Sequence, residues 1–231
     1  MRDDFVATMG DMTTRTHILM LVLASLALAL PGPASGGAAT TPVLLTLRPV
    51  EDVSFPFWCD WSYDWEERCW WEDGERLPVG GDSDKVWRSG LRFSLAAVPP
   101  GSTILDASLT VRHDAVCFGP RKTTRPCLAR GYAIDLHPIF TANWFSEREV
   151  EMGELVSRAT LPLATRPEWL SWDLTGLAET WVAGEPNHGV LLKLADAHED
   201  LDVGGPAFPS VSFAQAALRP ALDVYYLPPG E

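Results

Sequence analysis

From Thr103 to His113 the chain reads TILDASLTVRH, in which Ala107, Leu109 and Val111 alternate with Ser108, Thr110 and Arg112. A period of two sends successive side chains to opposite faces of an extended backbone, so this segment predicts a half-buried β-strand. The theme recurs. KVWRSGLRFSLAAV sets Leu91, Phe93 and Leu95 against Arg92 and Ser94, and Pro99 to Ser102 supplies a turn between the two segments. TPVLLTLRPVEDVSF reads as one or two strands, and YAIDLHPI, WLSWDL, GVLLKL, SVSFA and ALDVYYL follow, separated by Gly and Pro. Many short strands between turn signals predict an all-β protein, an antiparallel sandwich or barrel. One segment, DLTGLAETWVAGEPNHG, breaks the pattern. Leu177, Ala178, Trp181 and Val182 share a helical face behind a possible N-cap at Thr175, with Gly184 as the stop and Pro186 beyond. It predicts one short helix near residues 175–183, placed to plug one end of the sandwich.

The amino end has a different character. Arg15 and His17 precede the apolar run ILMLVLASLALAL (Ile18 to Leu30), and PGPASGGAA follows with the small residues a signal peptidase accepts. The run is short of the roughly 20 residues that span a bilayer. Residues 1–36 are therefore expected to be a cleaved signal peptide, cut near Gly36 or Ala38, with an uncleaved anchor as the alternative. Met12 makes a more typical signal start than Met1, because it leaves Asp3, Asp4 and Asp11 behind. Residues 37–45 then read as a flexible lead-in and 46–231 as a single domain, secreted, extracellular or held at the cell surface. Acidic residues outnumber basic ones by 31 to 18, a net charge of −13. Such a surface repels phosphate backbones, so no nucleic-acid partner is expected, nor a membrane partner after signal cleavage.

Export makes the cysteines informative. Cys59 lies near Cys69 and Cys117 near Cys127, and an oxidising compartment favours disulfides. Four cysteines allow three pairings; proximity favours the two local ones, each contributing about 2 to 3 kcal/mol in the chain-entropy model. The spacing does not suit a zinc knuckle. The first pair brackets an aromatic, acidic stretch, FWCDWSYDWEERCWWEDGE, in which Trp61, Tyr63 and Trp65 recur at period two beside Asp60 and Asp64. Indole faces stack on sugar C–H faces while carboxylates accept from hydroxyls, so these residues are the first candidate ligand site. Trp58 and Trp70, next to the cysteines, read as packed inward, and packing is the alternative for the trio too. The second pair brackets CFGPRKTTRPC, whose Arg121, Lys122 and Arg125 could clamp uronate or sulfate groups; a solvated basic loop is the alternative. Asp82 and Asp84, with Asp200 and Asp202 near Asp196 and Glu199, are weak calcium candidates, since neither cluster completes a calcium loop. No other cofactor is expected.

Catalytic constellations do not emerge. There is no Gly-x-Ser-x-Gly elbow, no His-Glu-x-x-His and no phosphate-cradling glycine loop, and His113, His137, His188 and His198 lack metal-ligand spacing. A glycosidase needs only two carboxylates at a set separation, which leaves an exported polysaccharide hydrolase as the least favoured reading.

Four stretches, in order, carry a resemblance. RSGLRFSLAAVPPGSTILDASLTV (Arg88 to Val111), NWFSE (Asn143 to Glu147), SWDLTGLAETWVAGEPNHGVLLK (Ser171 to Lys193) and SFAQAALRPALDVYY (Ser212 to Tyr226) are similar to the DNRLRE domain, also treated as carbohydrate-binding module family 96. The likeness runs from about Thr46 to Leu227. It departs at Ser94, where the family carries aspartate, and in EDG (Glu72 to Gly74), where it carries Asn-Tyr-Gly. The resemblance implies a jelly-roll β-sandwich with no catalytic residues, on a secreted or surface module that binds carbohydrate or cell-envelope polysaccharide. A structural or adhesive module that binds other surface proteins is the second expectation.

Overall fold

A computed structural model of the chain describes residues 41–56, 60–61, 67–68, 74–82, 85–118, 124–142, 144, 150–199 and 204–230. All of these belong to one compact unit, Gly37–Glu231. Strands β1 (Val43–Leu47) and β2 (Pro49–Pro56) are followed by the short β3 (Asp60–Trp61), β4 (Glu67–Arg68), β5 (Arg76–Pro78) and β6 (Gly80–Asp82). The long β7 (Lys85–Phe93) and β8 (Thr103–His113) lead to β9 (Val116–Phe118), β10 (Thr124–Pro126), β11 (Tyr132–Pro138), β12 (Ser157–Leu161) and β13 (Glu168–Asp173). Helix α1 (Thr175–Val182), β14 (Val190–Leu194), the single-turn α2 (Asp196–Glu199), β15 (Gly205–Pro209) and β16 (Ala221–Leu227) complete the order.

Two large antiparallel sheets form the body. One runs β1-β16-β8-β13; the other runs β12-β11-β14-β7-β2, with β6 also paired to β7. The order interleaves distant parts of the chain: β16 lies between β1 and β8, and β14 between β7 and β11. That is the double Greek-key order of a jelly roll, so the expected all-β antiparallel sandwich is the fold observed. A smaller sheet, β10-β9-β15-β5, adds Leu77, Cys117 and Phe208 to the same apolar core. The strands β3 and β4 pair only with each other.

The period-two segments behave as their spacing requires. In β8, Ala107, Leu109 and Val111 are buried while Ser108, Thr110 and Arg112 face outward. They meet Leu91, Ile134, Leu136, Leu192 and Leu194 of the opposing sheet in one core. The turn at Pro99 to Ser102 closes with Ser102 N donating to Pro99 O at 3.1 Å, and Gly101 takes the left-handed φ of +80° the turn demands.

Helix α1 is capped one residue before the expected N-cap. Leu174 caps it, and Thr175 is its first helical residue. The reason is tertiary. The Thr175 hydroxyl accepts from Ala107 N at 3.0 Å, Leu174 N donates to Ala107 O at 2.8 Å, and the Asp173 carboxylate accepts from Thr175 N at 2.8 Å. Those hydrogen bonds to Thr175 hold the Asp173 carboxyl below its ordinary pKa. Gly184, at φ +110°, ends the helix, and Leu177, Trp181 and Val182 pack on the main core.

Two expectations are corrected. The lead-in ends earlier than residue 45, because Val43 already pairs with Tyr226 in β1. The strand expected in SVSFA lies instead at Gly205–Pro209, where β15 is buried at every position, and Val211 and Ser212 turn. Close approach explains the shift: a Cβ built on Gly205 would sit 1.9 Å from Val79 O, so only glycine lets β15 enter there. Within the prefix expected to be a signal, residues 1–36 lie outside the described residues.

The outer face of the β12-β11-β14-β7-β2 sheet is covered. Val53, Ile139, Trp144 and Leu191 form a second apolar cluster there, and the Trp144 indole donates to His188 O. Beside it, charges cross the strands. Asp135 faces Arg158 on one side and Lys193 on the other, and the Arg158 guanidinium grips Asp135 with two hydrogen bonds. Lys193 Nζ lies 3.1 Å from Glu199 of α2, which Arg88 also grips at 2.8 and 3.0 Å. The side chains of Lys193 and Glu199 are only 5% and 10% exposed. Removing one member of a buried pair strands the other charge, at about 3–5 kcal/mol. Glu199→Ala should therefore lose about that much stability in denaturant unfolding. Asp196→Ala, which removes a partner 92% exposed, should lose less than about 1 kcal/mol; equal small losses would contradict this account.

Candidate functional site

The two sheets differ on their outer faces. Where the second sheet is covered, the outer face of β1-β16-β8-β13 is open, and its residues fall into register rows. Thr46, Asp223, Ser108 and Asp173 lie side by side across the four strands. One row along, Leu44, Tyr225 and Asp106 are neighbours; on the other side come Ala221, Thr110 and Ser171, and then Arg112 beside Trp169. Trp169 is 47% and Tyr225 40% exposed. Between them the surface is low, built of Ser, Thr, Ala and Asp.

Polar contacts organise this surface. The Thr46 hydroxyl donates to Asp223, and the Ser108 and Ser171 hydroxyls share a hydrogen bond of 2.7 Å. The Arg112 guanidinium lies 5.4 Å from the Trp169 ring centre, a cation–π contact that fixes the ring against the sheet. Chemically the face offers two aromatic surfaces for stacking and hydroxyl and carboxylate oxygens for hydrogen bonding. Among the described residues no three histidine, cysteine or carboxylate side chains converge as a metal site.

The residues singled out from the sequence fare differently. Tyr63, Asp64 and Trp65 lie outside the described residues, as do Cys59 and Cys69. Asp60 and Trp61 form β3, whose backbone pairs with Arg68 and Glu67 of β4. Arg121 and Lys122 also lie outside, but the loop that carries them is closed as expected: Cys117 and Cys127 form a disulfide with Cα atoms 5.0 Å apart. Arg125 of β10 is half-buried. Its Nη2 comes so near Gly204, at φ +71°, that an added Cβ there would lie 2.7 Å from it. The guanidinium is thus drawn against the fold. Of the calcium candidates, Asp82 belongs to β6, while Asp84, Asp200 and Asp202 lie outside the described residues. Asp196 and Glu199, from the same cluster, are engaged by Lys193, and Glu199 also by Arg88.

Trp169 and Tyr225 were not singled out. Their signal was present: each is an aromatic residue at a solvent parity, flanked by the inward Leu170 and by the inward Val224 and Tyr226. What the spacing could not reveal is which of the sandwich's two outer faces stays open. No helix among the described residues is long and apolar enough to cross a membrane. Against known proteins, the chain matches no family model and no curated protein.

At the far end of β8, His113 is fully buried beside the disulfide, with Nε2 2.8 Å from Ala164 O, 3.8 Å from Cys127 Sγ and the ring edge-on to Phe208. Burial holds its imidazole pKa below the ordinary value. The folded protein then binds fewer protons than the unfolded chain below about pH 6.5, so stability is complete above that pH and falls as acid approaches the folded pKa. His113→Asn, which can still donate to Ala164, should reduce the loss of melting temperature between about pH 7.5 and 5.5 relative to the unaltered chain. An unchanged slope would remove His113 as its source.

Proposed function

We propose that the protein is an exported, non-catalytic module that binds a carbohydrate or cell-envelope polysaccharide, of the kind the DNRLRE and family 96 likeness implies. The observation that carries this reading is the open four-stranded face with Trp169 and Tyr225 above a floor of hydroxyls and carboxylates. Pyranose rings match these aromatics: their C–H faces pack on indole or phenol while their hydroxyls reach the oxygens below. The jelly-roll scaffold supports such a site because the floor residues of β16 and β8 are each held between two neighbouring strands.

The chain without residues 1–36, applied to a glycan array with and without calcium, tests the proposal. Retention of at least one polysaccharide is expected, reduced about tenfold in affinity by Trp169→Ala with melting temperature unchanged. Dependence on calcium would bring Asp82, Asp84, Asp200 and Asp202 back as ligands. An empty array, with a protein partner recovered by cross-linking, would move the reading to an adhesive surface module; turnover of the polysaccharide would move it to a hydrolase.

A further inference from the structure

Resting on that reading, we infer that the ligand is an extended, uncharged glycan that crosses the β1-β16-β8-β13 face on the diagonal from Tyr225 to Trp169. Tyr225 sits opposite Asp106 on one side of β8, and Trp169 opposite Arg112 on the other. The two rings are therefore offset along β8 by the distance from Asp106 to Arg112 and across it by two strand spacings, a separation of roughly 20 Å. A single sugar ring reaches one of them. Only a chain of several rings is long enough to reach both, and it would pass over Asp223, Ser108, Thr110 and Ser171 on the way. All four are short side chains: Ser108 and Ser171 bond each other, Thr110 donates to Ala221 O and Asp223 accepts from Thr46, and each oxygen keeps a further lone pair for the polymer's edge hydroxyls.

The charge of this path selects the ligand. Asp106 and Asp173 are exposed beside it and Asp223 lies half-buried within it. The one cation on these rows, Arg112, is committed to the Trp169 ring. A uronate or sulfated polymer would bring its charges against carboxylates, whereas neutral hydroxyls donate to them. The basic residues Arg121 and Lys122, in the disulfide loop after β9, lie outside the described residues.

The decisive measurement is isothermal titration of the chain lacking residues 1–36 with neutral hexose or pentose oligosaccharides of increasing length, alongside a uronate polymer, at low and high salt. Affinity for the neutral series is expected to rise with length until both rings are spanned and to change little with salt. Trp169→Ala and Tyr225→Ala should each weaken the longest oligosaccharide about tenfold while leaving a disaccharide's already weak binding within about twofold for at least one of the two variants. Unchanged melting temperatures would confirm that both variants fold. Salt-sensitive preference for the uronate polymer would overturn the uncharged ligand yet leave glycan binding standing. Equal affinity for short and long neutral chains would overturn the diagonal path. Absence of binding to every glycan would sink the underlying reading, and this inference with it.

Discussion

The indole of Trp172 crosses from one sheet of the sandwich to the other. Its ring, on β13, is fully buried, and its Nε1 donates to Ile134 O of β11 at 3.0 Å. A tryptophan can lie that deep only if its N–H finds an acceptor, since an unmet buried donor costs about 1–3 kcal/mol. The bond therefore couples two requirements: the sheets must close to van der Waals contact, and they must do so in one relative placement. Around it, Leu109, Leu170, Leu192 and Leu222 are excluded from solvent. Truncating such a core aromatic costs about 3–5 kcal/mol, comparable with the stability of a whole small domain.

Once the inner faces are committed, the outer faces are free to differ, and they do. The β12-β11-β14-β7-β2 sheet is buried twice over, so β14 reads VLLKL with every position buried, including a lysine held by Glu199 and Asp196. Among the described residues of that face, Asp135, Arg158, Lys193, Glu199 and Arg88 are engaged with one another. The β1-β16-β8-β13 face keeps the full alternation of a half-wet sheet, and its polar side chains have spare hydrogen-bonding capacity. The asymmetry makes the second face a structural wall and leaves the first as a surface.

How much of this was legible follows from what each pattern encodes. Period two located β8, β13 and β16, because each has one dry and one wet side, and β7 and β11, whose polar residues alternate with apolar ones although no side chain described in them is exposed. It was uninformative for Gly205–Pro209, where burial on both sides erases alternation and a proline and a glycine pose as a turn. The helix was placed to within a residue at its start, the error arising from hydrogen bonds to Ala107 that lie 68 positions away in the chain. Proximity was enough for the Cys117–Cys127 bridge. The open face was not legible, since Trp169 and Tyr225 are far apart in sequence and only the strand order makes them partners across β8. Composition drew attention instead to the tryptophan-rich stretch between Cys59 and Cys69, where density of aromatics stands out without any topology.

The pairing of β1 with β16 has a kinetic side. Thr46 bonds Asp223 across 177 positions of chain, and β16 then supplies the edge on which β8 rests. The sheet that includes both therefore closes only when segments 177 positions apart have met, and closing so long a loop delays the gain from its contacts. Such a molecule folds slowly and late.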